Sequence, residues 1–282
     1  MKGNLKTHLK DKLEPNELEL LYTSYDIVGD IAVIRVPEAL ELRIQTIAEA
    51  LLKTQKHVKS VLRQISPVAG NFRLRDLAWV AGEKKTKTVY KEFGCLFNID
   101  LDRCYFSPRL SYERMRIAKL IQPNEVIVNM FAGVGCYSVI IAKHSRSEKI
   151  YSIDINPIAV QFLKENARLN RAERQVLPIL GDAKETIEER LRRIADRVIM
   201  PLPEKAYEYI ETALLAIKSR GGVIHYYGFE HSANGESTIE KTKKRVSEKL
   251  ETLGVNFDLL KSRIVRTTGP NWHQIALDIQ TS

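Results

Sequence analysis

Cysteine is scarce: there are three, Cys95, Cys104 and Cys136, in 282 residues, and none forms a CxxC pair. An odd number at wide spacing argues against a disulfide framework, so the thiols read as reduced. The six histidines, His8, His57, His144, His225, His231 and His273, include no HxxxH pair, and no metal site is expected from ligand spacing. Long apolar runs are also missing. None approaches the roughly 20 residues needed to cross a bilayer, and the opening MKGNLKTHLKDKLE is charged, without the apolar stretch of a secretory signal. A soluble, cytoplasmic chain with no membrane or metal partner is expected. No internal repeat and no low-complexity segment is present.

Positive charge is abundant. Lysine and arginine number 44 against 35 acids, a net charge of +9, which favours a polyanionic partner. The rest of the composition, 44% hydrophobic and 28% charged, is that of a globular protein long enough for two domains with separate cores.

Residues 1–20 read as a charged leader or linker. A small α/β domain is expected over 21–95. Tyr25–Val36 contains two β-rich runs around a Gly-Asp turn, an amphipathic helix follows over about 38–54, and Val58–Ile65 and Leu77–Val80 are further strand candidates. Over 96–282 helices alternate with β-branched strands. The helices are Ser111–Ile121, Tyr137–His144, Pro157–Asn170 and Glu204–Ser219, and the strands are Glu125–Asn129, Ile150–Asp154, Val176–Leu180, Arg197–Met200 and Gly222–Tyr227. That alternation predicts an α/β fold with a doubly wound, mainly parallel sheet. A basic helix near 238–253 and strands Asp258–Val265 and His273–Ile279 would complete it with an antiparallel edge.

The strongest local pattern is Val126-Ile127-Val128-Asn129-Met130-Phe131-Ala132-Gly133-Val134-Gly135-Cys136-Tyr137-Ser138. It is a buried strand leading through a glycine-rich turn into a helix, a small-molecule site whose glycines permit close backbone approach and whose helix start offers N–H groups. A dinucleotide site also fits, because Asp154 ends the next strand where a ribose-binding acid belongs, although Ser138 replaces the third fingerprint glycine. Asp154 can accept from both ribose hydroxyls or simply sit near a helix start, and Asn156-Pro157 suits a helix cap and first turn. Asp182, after the third strand, is either a ligand contact or a cap.

Three segments taken in order resemble the archaeal and eukaryotic tRNA guanine-37 N1-methyltransferases. They are Cys104-Tyr105-Phe106-Ser107-Pro108-Arg109-Leu110-Ser111-Tyr112-Glu113-Arg114, Asn129-Met130-Phe131-Ala132-Gly133-Val134-Gly135 and Ile153-Asp154-Ile155-Asn156-Pro157. Lys56–Leu62 and Asn71–Arg75 resemble the family's small domain. The resemblance implies a Rossmann-like methyltransferase domain, S-adenosylmethionine as donor and the tRNA anticodon arm as partner. The target is N1 of guanosine 37, with tRNA-Phe as the expected substrate and a monomer as the expected state. It also implies roles. Glu113 is the general base, Arg73 the partner of O6, and Tyr105 shapes the site. Phe131, Ala132, Gly133, Gly135, Asp154, Ile155, Asp182, Ala183 and Pro201 contact the cofactor, while Arg109, Pro203 and Tyr112 contact the substrate. Guanine N1 carries a proton, so its attack on a methyl needs a base and a group that stabilises charge on O6.

Each of these residues has a plainer reading as well. Glu113 suits the first turn of a helix, Arg73 a phosphate contact, and Tyr105 a core position. Two departures from the family pattern stand out. Asn129 lies where the strand often ends in Asp, and Pro201 occupies the asparagine position of an Asn-Leu-Pro motif, offering only a carbonyl. The second resembles an archaeal subgroup that also methylates carbon 7 of the tricyclic wyosine precursor. Residues 1–24 resemble only the linker that follows an extra N-terminal module in many relatives, which implies recognition through the anticodon arm. Basic segments Lys53–Arg63, Lys84–Lys91, Arg103–Arg116 and Lys241–Lys249 would meet phosphates, although a solvated helix face also explains the last. Tyr105, Phe106, Tyr112 and Trp272 could stack on a splayed base, with Phe106 and Trp272 fitting a core better. Gly269–His273 reads as a tight turn between the late strands. The alternatives are an aminocarboxypropyl transferase using the same cofactor, a noncatalytic RNA-binding protein, and a nicotinamide dehydrogenase.

Overall fold

Leucines at 5, 9 and 13 share one helical face at four-residue spacing, and a computed structural model of the chain, which describes residues 5–233 and 235–282, buries them. Helix α1 (Leu5–Leu9) and α2 (Pro15–Leu20) bring Leu5, Leu9, Leu13 and Leu21 into one apolar core with Leu40, Ile47, Leu51 and Val61. The expected linker is therefore corrected: from residue 5 onward the segment is part of a folded body.

The chain divides into two units, one ending at Arg109 and one spanning Leu110–Ser282. In the first, β1 (Asp26–Val28) and β2 (Ile31–Ile34) form a hairpin turned at Gly29. A 3-10 turn over Glu38–Arg43 leads into α3 (Ile44–Thr54), and β3 (Ser60–Gln64) and β4 (Leu77–Gly82) complete a sheet ordered β1-β2-β3-β4. Gly29 has φ +57°, and a Cβ there would lie 2.1 Å from Thr88 Oγ1. This close approach seats the hairpin against β5 (Lys87–Glu92), which forms a two-stranded sheet with β6 (Cys95–Asp100). The expected boundary at 95 falls inside that hairpin, where Cys95 is the register partner of Glu92. The unit boundary lies beyond it, at residues 109 and 110.

The second unit starts with α4 (Ser111–Leu120) and alternates through β7 (Val126–Asn129), α5 (Cys136–His144), β8 (Lys149–Asp154), α6 (Pro157–Leu169) and β9 (Val176–Leu180). It continues with α7 (Ala183–Arg190), β10 (Arg197–Met200), α8 (Ile210–Ala216) and β11 (Gly222–His231). Last come α9 (Thr238–Thr252), β12 (Phe257–Gly269) and β13 (Trp272–Thr281). The seven strands are ordered β12-β13-β11-β10-β7-β8-β9, with β11 through β9 parallel and β12 and β13 antiparallel. This is the expected doubly wound sheet with its antiparallel edge. The order reverses between β7 and β10, and the carboxyl ends of strands at such a switch point are where open α/β sheets bind ligands. Helix α8 begins six residues later than expected, after a run of turns. Among the described residues, no helix is long and apolar enough to cross a membrane, and no acid, histidine and cysteine cluster could hold a metal.

Candidate active site

At the switch point the chain leaves β7 through Met130, Phe131 and Ala132. Three amides of this turn are engaged internally. Ala132 N–H donates to the Ile153 carbonyl at 2.8 Å, Gly135 N–H to Ala132 O at 3.0 Å, and Gly133 N–H to Asp154 Oδ2 at 2.6 Å. A pyrophosphate cradle needs such amides open, so these three do not serve a dinucleotide. Gly135 also packs against a helix. With φ +91°, a Cβ there would meet Leu163 Cδ1 at 2.2 Å, so its missing side chain lets α6 approach the turn.

Asp154 is held by neutral donors, the amides of Gly133 and Asn156, the latter at 2.9 Å on Oδ1. Burial raises its carboxyl above the ordinary aspartate range, and the two amides offset this in part. Asn156 caps α6 by accepting from Ile158 and Ala159, with Pro157 in the first turn. Beside this acid stand two exposed apolar side chains, Ile155 and Leu180. Leu180 is the register partner of Asp154, and Gly181 N–H donates to Asp154 O at 3.1 Å. Two carboxylate oxygens with lone pairs to spare next to open apolar surface suit a ribose and its purine, so the residues fit S-adenosylmethionine. Asp182 is the helix cap of α7 through Oδ1, and its Oδ2 accepts from Tyr209 OH at 3.0 Å. Tyr209 in turn lies edge-on to Phe131, 5.2 Å between ring centroids. Ala183 and Ala132 are buried, which leaves their backbone as the contact they can offer. Pro201 is half-buried, whereas Pro203, expected at the substrate, is buried.

Glu113, in the first turn of α4, is 1% exposed. Arg116 one turn on donates from Nε at 3.0 Å to both carboxylate oxygens and from Nη2 at 2.7 Å to Oε1. Tyr227 OH donates to Oε1 at 2.7 Å, and Arg263 lies 3.3 Å from Oε2. The Arg263 guanidinium also sits 5.0 Å over the ring of Tyr112, which is 70% exposed. Arg116 extends beyond Glu113. Its Nη1 and Nη2 reach Asp278 at 2.5 and 3.0 Å, and Asp278 Oδ1 is 2.6 Å from His225 Nδ1. Burial pulls the Arg116 guanidinium down, but its hydrogen bonds to Asp278 and Glu113 prevail and raise it.

In the first unit, Arg73 adopts φ +54° in a turn where its N–H donates to Gly70 O at 3.1 Å. Its guanidinium lies 4.0 Å from the ring centroid of half-buried Tyr105, a cation–π contact that fixes both groups. Arg109 is paired with Asp26, Nε to Oδ1 at 2.7 Å. Burial lowers the guanidinium of neighbouring Arg75, as do the charges of Arg109 and Arg35, while Asp26 and Tyr105 oppose them. Arg73 and Tyr105 are thus brought together in one unit, and Glu113 and Tyr112 belong to the other.

The sheet order, the acid after β8 and the buried glutamate at the start of α4 can be compared with known proteins. The TRM5/TYW2 methyltransferase domain matches residues 88–256, and the TYW2 N-terminal domain matches residues 5–86. This chain belongs to the TRM5/TYW2 methyltransferase family. It is 41% identical over 95% of its length to the tRNA (guanine(37)-N(1))-methyltransferase Trm5b of Pyrococcus abyssi, 78% of which is covered. It is 37% identical over 93% of its length to the tRNA 4-demethylwyosine(37)-methyltransferase Taw21 of Saccharolobus solfataricus, 95% of which is covered. A third relative, a tRNA(Phe) (4-demethylwyosine(37)-C(7)) aminocarboxypropyltransferase of Methanocaldococcus jannaschii, is 32% identical over 89% of this chain and 95% of its own. Among solved structures, a complex of aTrm5 and tRNALeu superposes at a TM-score of 0.85 with 35% identity, over all of this chain and 79% of that one. M. jannaschii TYW2 in complex with AdoMet does so at 0.68 with 26% identity, over 92% and 99%.

Within the TRM5/TYW2 frame the departures acquire physical content. Asn129 is buried and donates from Nδ2 to Ser138 Oγ at 3.1 Å, which also accepts from Ser152 Oγ at 2.7 Å. Asparagine there acts as a donor that ties β7 to α5, and Ser138 is the acceptor. The basic segments are partly committed to acids of the fold. Lys241 and Arg245 face Glu230 at 3.1 and 3.4 Å, Lys243 faces Glu240, and Lys85 bridges Asp30 and Glu83. Phe106 is buried, as a core reading required, but Trp272 is 45% exposed and lies 5.1 Å from the ring of His231 in a tilted contact. Its core reading is corrected. Sequence reasoning missed Arg263, Tyr227, His225 and Asp278. A lone acid inside the apolar run Ile275-Ala276-Leu277-Asp278-Ile279 was the available signal, since buried charges are paired.

Proposed function

We propose that this chain transfers the methyl group of S-adenosylmethionine to N1 of guanosine 37 in tRNA. Support comes from the 41% identity to Trm5b. The observation that carries the reading is Glu113, a buried carboxylate held in place by Arg116 and Tyr227. When bound, the cofactor supplies a methyl carbon made electrophilic by its sulfonium. Glu113 takes the N1 proton, the N1 lone pair forms the new N–C bond, and the C–S electrons stay on sulfur as a neutral thioether. Arg73 donates to O6, where negative charge grows as the proton leaves, and Tyr105 holds the Arg73 guanidinium through its ring face. Asp154 holds the ribose, with Phe131, Gly133 and Ile155 beside it and Asp182, Ala183 and Pro201 lining the same strand ends. Tyr112 and Arg109 are substrate contacts on this reading. The finer parts are that the anticodon arm of tRNA-Phe is a natural substrate and that the protein works as a cytoplasmic monomer.

A second activity, methylation of carbon 7 of the tricyclic wyosine precursor, is favoured by Pro201, which puts no side-chain donor where an asparagine would grip guanine, and by the 37% identity to Taw21. Mass-tagged S-adenosylmethionine is incubated with tRNA transcripts bearing guanosine or adenosine at position 37, or with precursor-bearing tRNA, and the nucleosides are analysed by mass spectrometry. N1-methylguanosine from the first alone supports the main reading. A methyl only on the precursor makes the second activity primary, and a larger adduct identifies aminocarboxypropyl transfer.

A further inference from the structure

Behind Glu113 runs a buried chain of charges that base catalysis alone does not call for. From the exposed side inward it passes through Arg263, Glu113, Arg116, Asp278, His225, Arg197 and Glu125. The guanidinium of Arg197 faces His225 Nε2 at 2.8 Å and pairs with Glu125 through two contacts of 2.8 Å. Because a guanidinium only donates, Nε2 is the acceptor and Nδ1–H donates to Asp278. His225 is therefore neutral, in agreement with burial holding its proton affinity below the ordinary histidine value against the pull of Asp278. Three cations then alternate with three anions, and the chain is electrically balanced while Glu113 is ionised.

Proton uptake by Glu113 upsets this balance. Arg116 is only 10% exposed, and a buried cation that loses its counterion is penalised heavily. The other groups facing Glu113 do not supply a replacement. Arg263 on β12 is a cation, Arg114 on α4 is a buried cation whose charge acts on Tyr137, and Tyr227 on β11 and Tyr137 on α5 are neutral phenols that burial raises above the ordinary tyrosine range. Asp278 on β13 is the single additional anion in contact with Arg116 among the described groups.

We propose that Asp278 is a positioning residue for methyl transfer: by pairing with the far side of Arg116, it keeps that guanidinium neutralised when Glu113 accepts the substrate proton. The inference rests on the assignment of Glu113 as the base. It follows that removing the Asp278 charge leaves Glu113 as the sole counterion of Arg116, so the carboxylate holds a proton less readily. Removing the Arg116 charge acts in the opposite sense.

The test is the single-turnover rate of methyl transfer to a guanosine-37 tRNA transcript at saturating enzyme and cofactor, followed from about pH 5 to pH 9. Asp278→Asn is expected to lower the plateau rate by about tenfold or more and to move the acid limb down by roughly one pH unit. Arg116→Gln is expected to move that limb upward, and Asp278→Glu, which keeps the charge, to leave it in place. Cofactor and tRNA dissociation constants should change little in all three. A slower Asp278→Asn enzyme whose acid limb has not moved, or limbs that shift in the same direction in Asp278→Asn and Arg116→Gln, overturns the inference. If Asp278→Asn does not fold, Arg116→Gln against Arg116→Lys carries the test: an upward shift with Gln alone supports the inference, and equal behaviour of the two rejects it. Glu113→Gln separates the layers. Wild-type rate in that variant rejects the base assignment and the inference together, whereas an inactive Glu113→Gln beside an unmoved Asp278→Asn limb rejects the inference alone.

Discussion

Asp154 and Glu113 stand in the same folding unit and are anchored by opposite means. Asp154 receives only backbone amides, from Gly133 and Asn156. Among the described residues no cation pairs with it, and burial drives its carboxyl upward. Glu113 is more deeply buried but is surrounded by Arg116, Arg263 and Tyr227. An acid fixed by neutral dipoles keeps lone pairs directed at a neutral polyol. One wrapped in cations is held as an ion-pair partner inside the fold. On the proposed reading, the carboxylate that binds hydroxyls and the one that removes a proton differ in their donors rather than in their own chemistry.

The comparison breaks most visibly through Glu113. Glu113→Gln should reduce methyl transfer by about 10² to 10⁴, the usual contribution of a positioned base, with calorimetric affinity for S-adenosylmethionine unchanged; weakened cofactor binding would merge the two roles. Next in size is the acid response of the charged site. Burial pushes the Asp278 carboxyl up, but its hydrogen bonds with His225 and Arg116 outweigh this and hold it well below the usual range. Such a depressed group gives stability that is present above the unfolded value near pH 4 and lost as pH falls through the folded one. Urea unfolding should therefore find Asp278→Asn about 3 kcal/mol less stable at pH 7, with the gap to wild type narrowing as the solution is acidified. Asp154→Asn tests the opposite arm: S-adenosylmethionine should bind roughly 10- to 100-fold more weakly, as expected for hydrogen bonds to a charged acceptor, while the transfer rate at saturation stays near wild type. The smallest effect is expected from Tyr209→Phe. Burial and then the Asp182 hydrogen bond push the Tyr209 hydroxyl up to about 12, so it acts only as a neutral donor, and its loss should weaken cofactor binding about threefold in the same titration.

The parts of this arrangement that were legible in the sequence are those set by neighbours along the chain. Val176–Leu180 and Arg197–Met200 have the ends that their β-branched runs indicate, and Asp154, Asn156 and Pro157 sit as a strand end, a cap and a first turn because each preference is local. The early leucines carried helical spacing, but the surrounding lysines and acids masked it. The β5–β6 hairpin was missed because exposed lysines interrupt its apolar positions, and α7 because Ala183–Arg190 is almost wholly polar. Glu113 was identified through a motif, yet its environment was not, since Tyr227, Arg263 and Asp278 lie 114 to 165 positions away and nothing local couples them to it.

The position of β13 has a consequence for how the molecule is made. This strand lies between β11 and β12 and brings Asp278 to an arginine 162 positions earlier. Contacts that close so long a loop form late, after local helices and hairpins. A partly assembled sheet without β13 would hold Glu113 and Arg116 on α4 but lack the acid behind them. The ionic chain is then a property of the finished sheet alone, and the proposed chemistry at Glu113 would report that folding of this unit has run to completion.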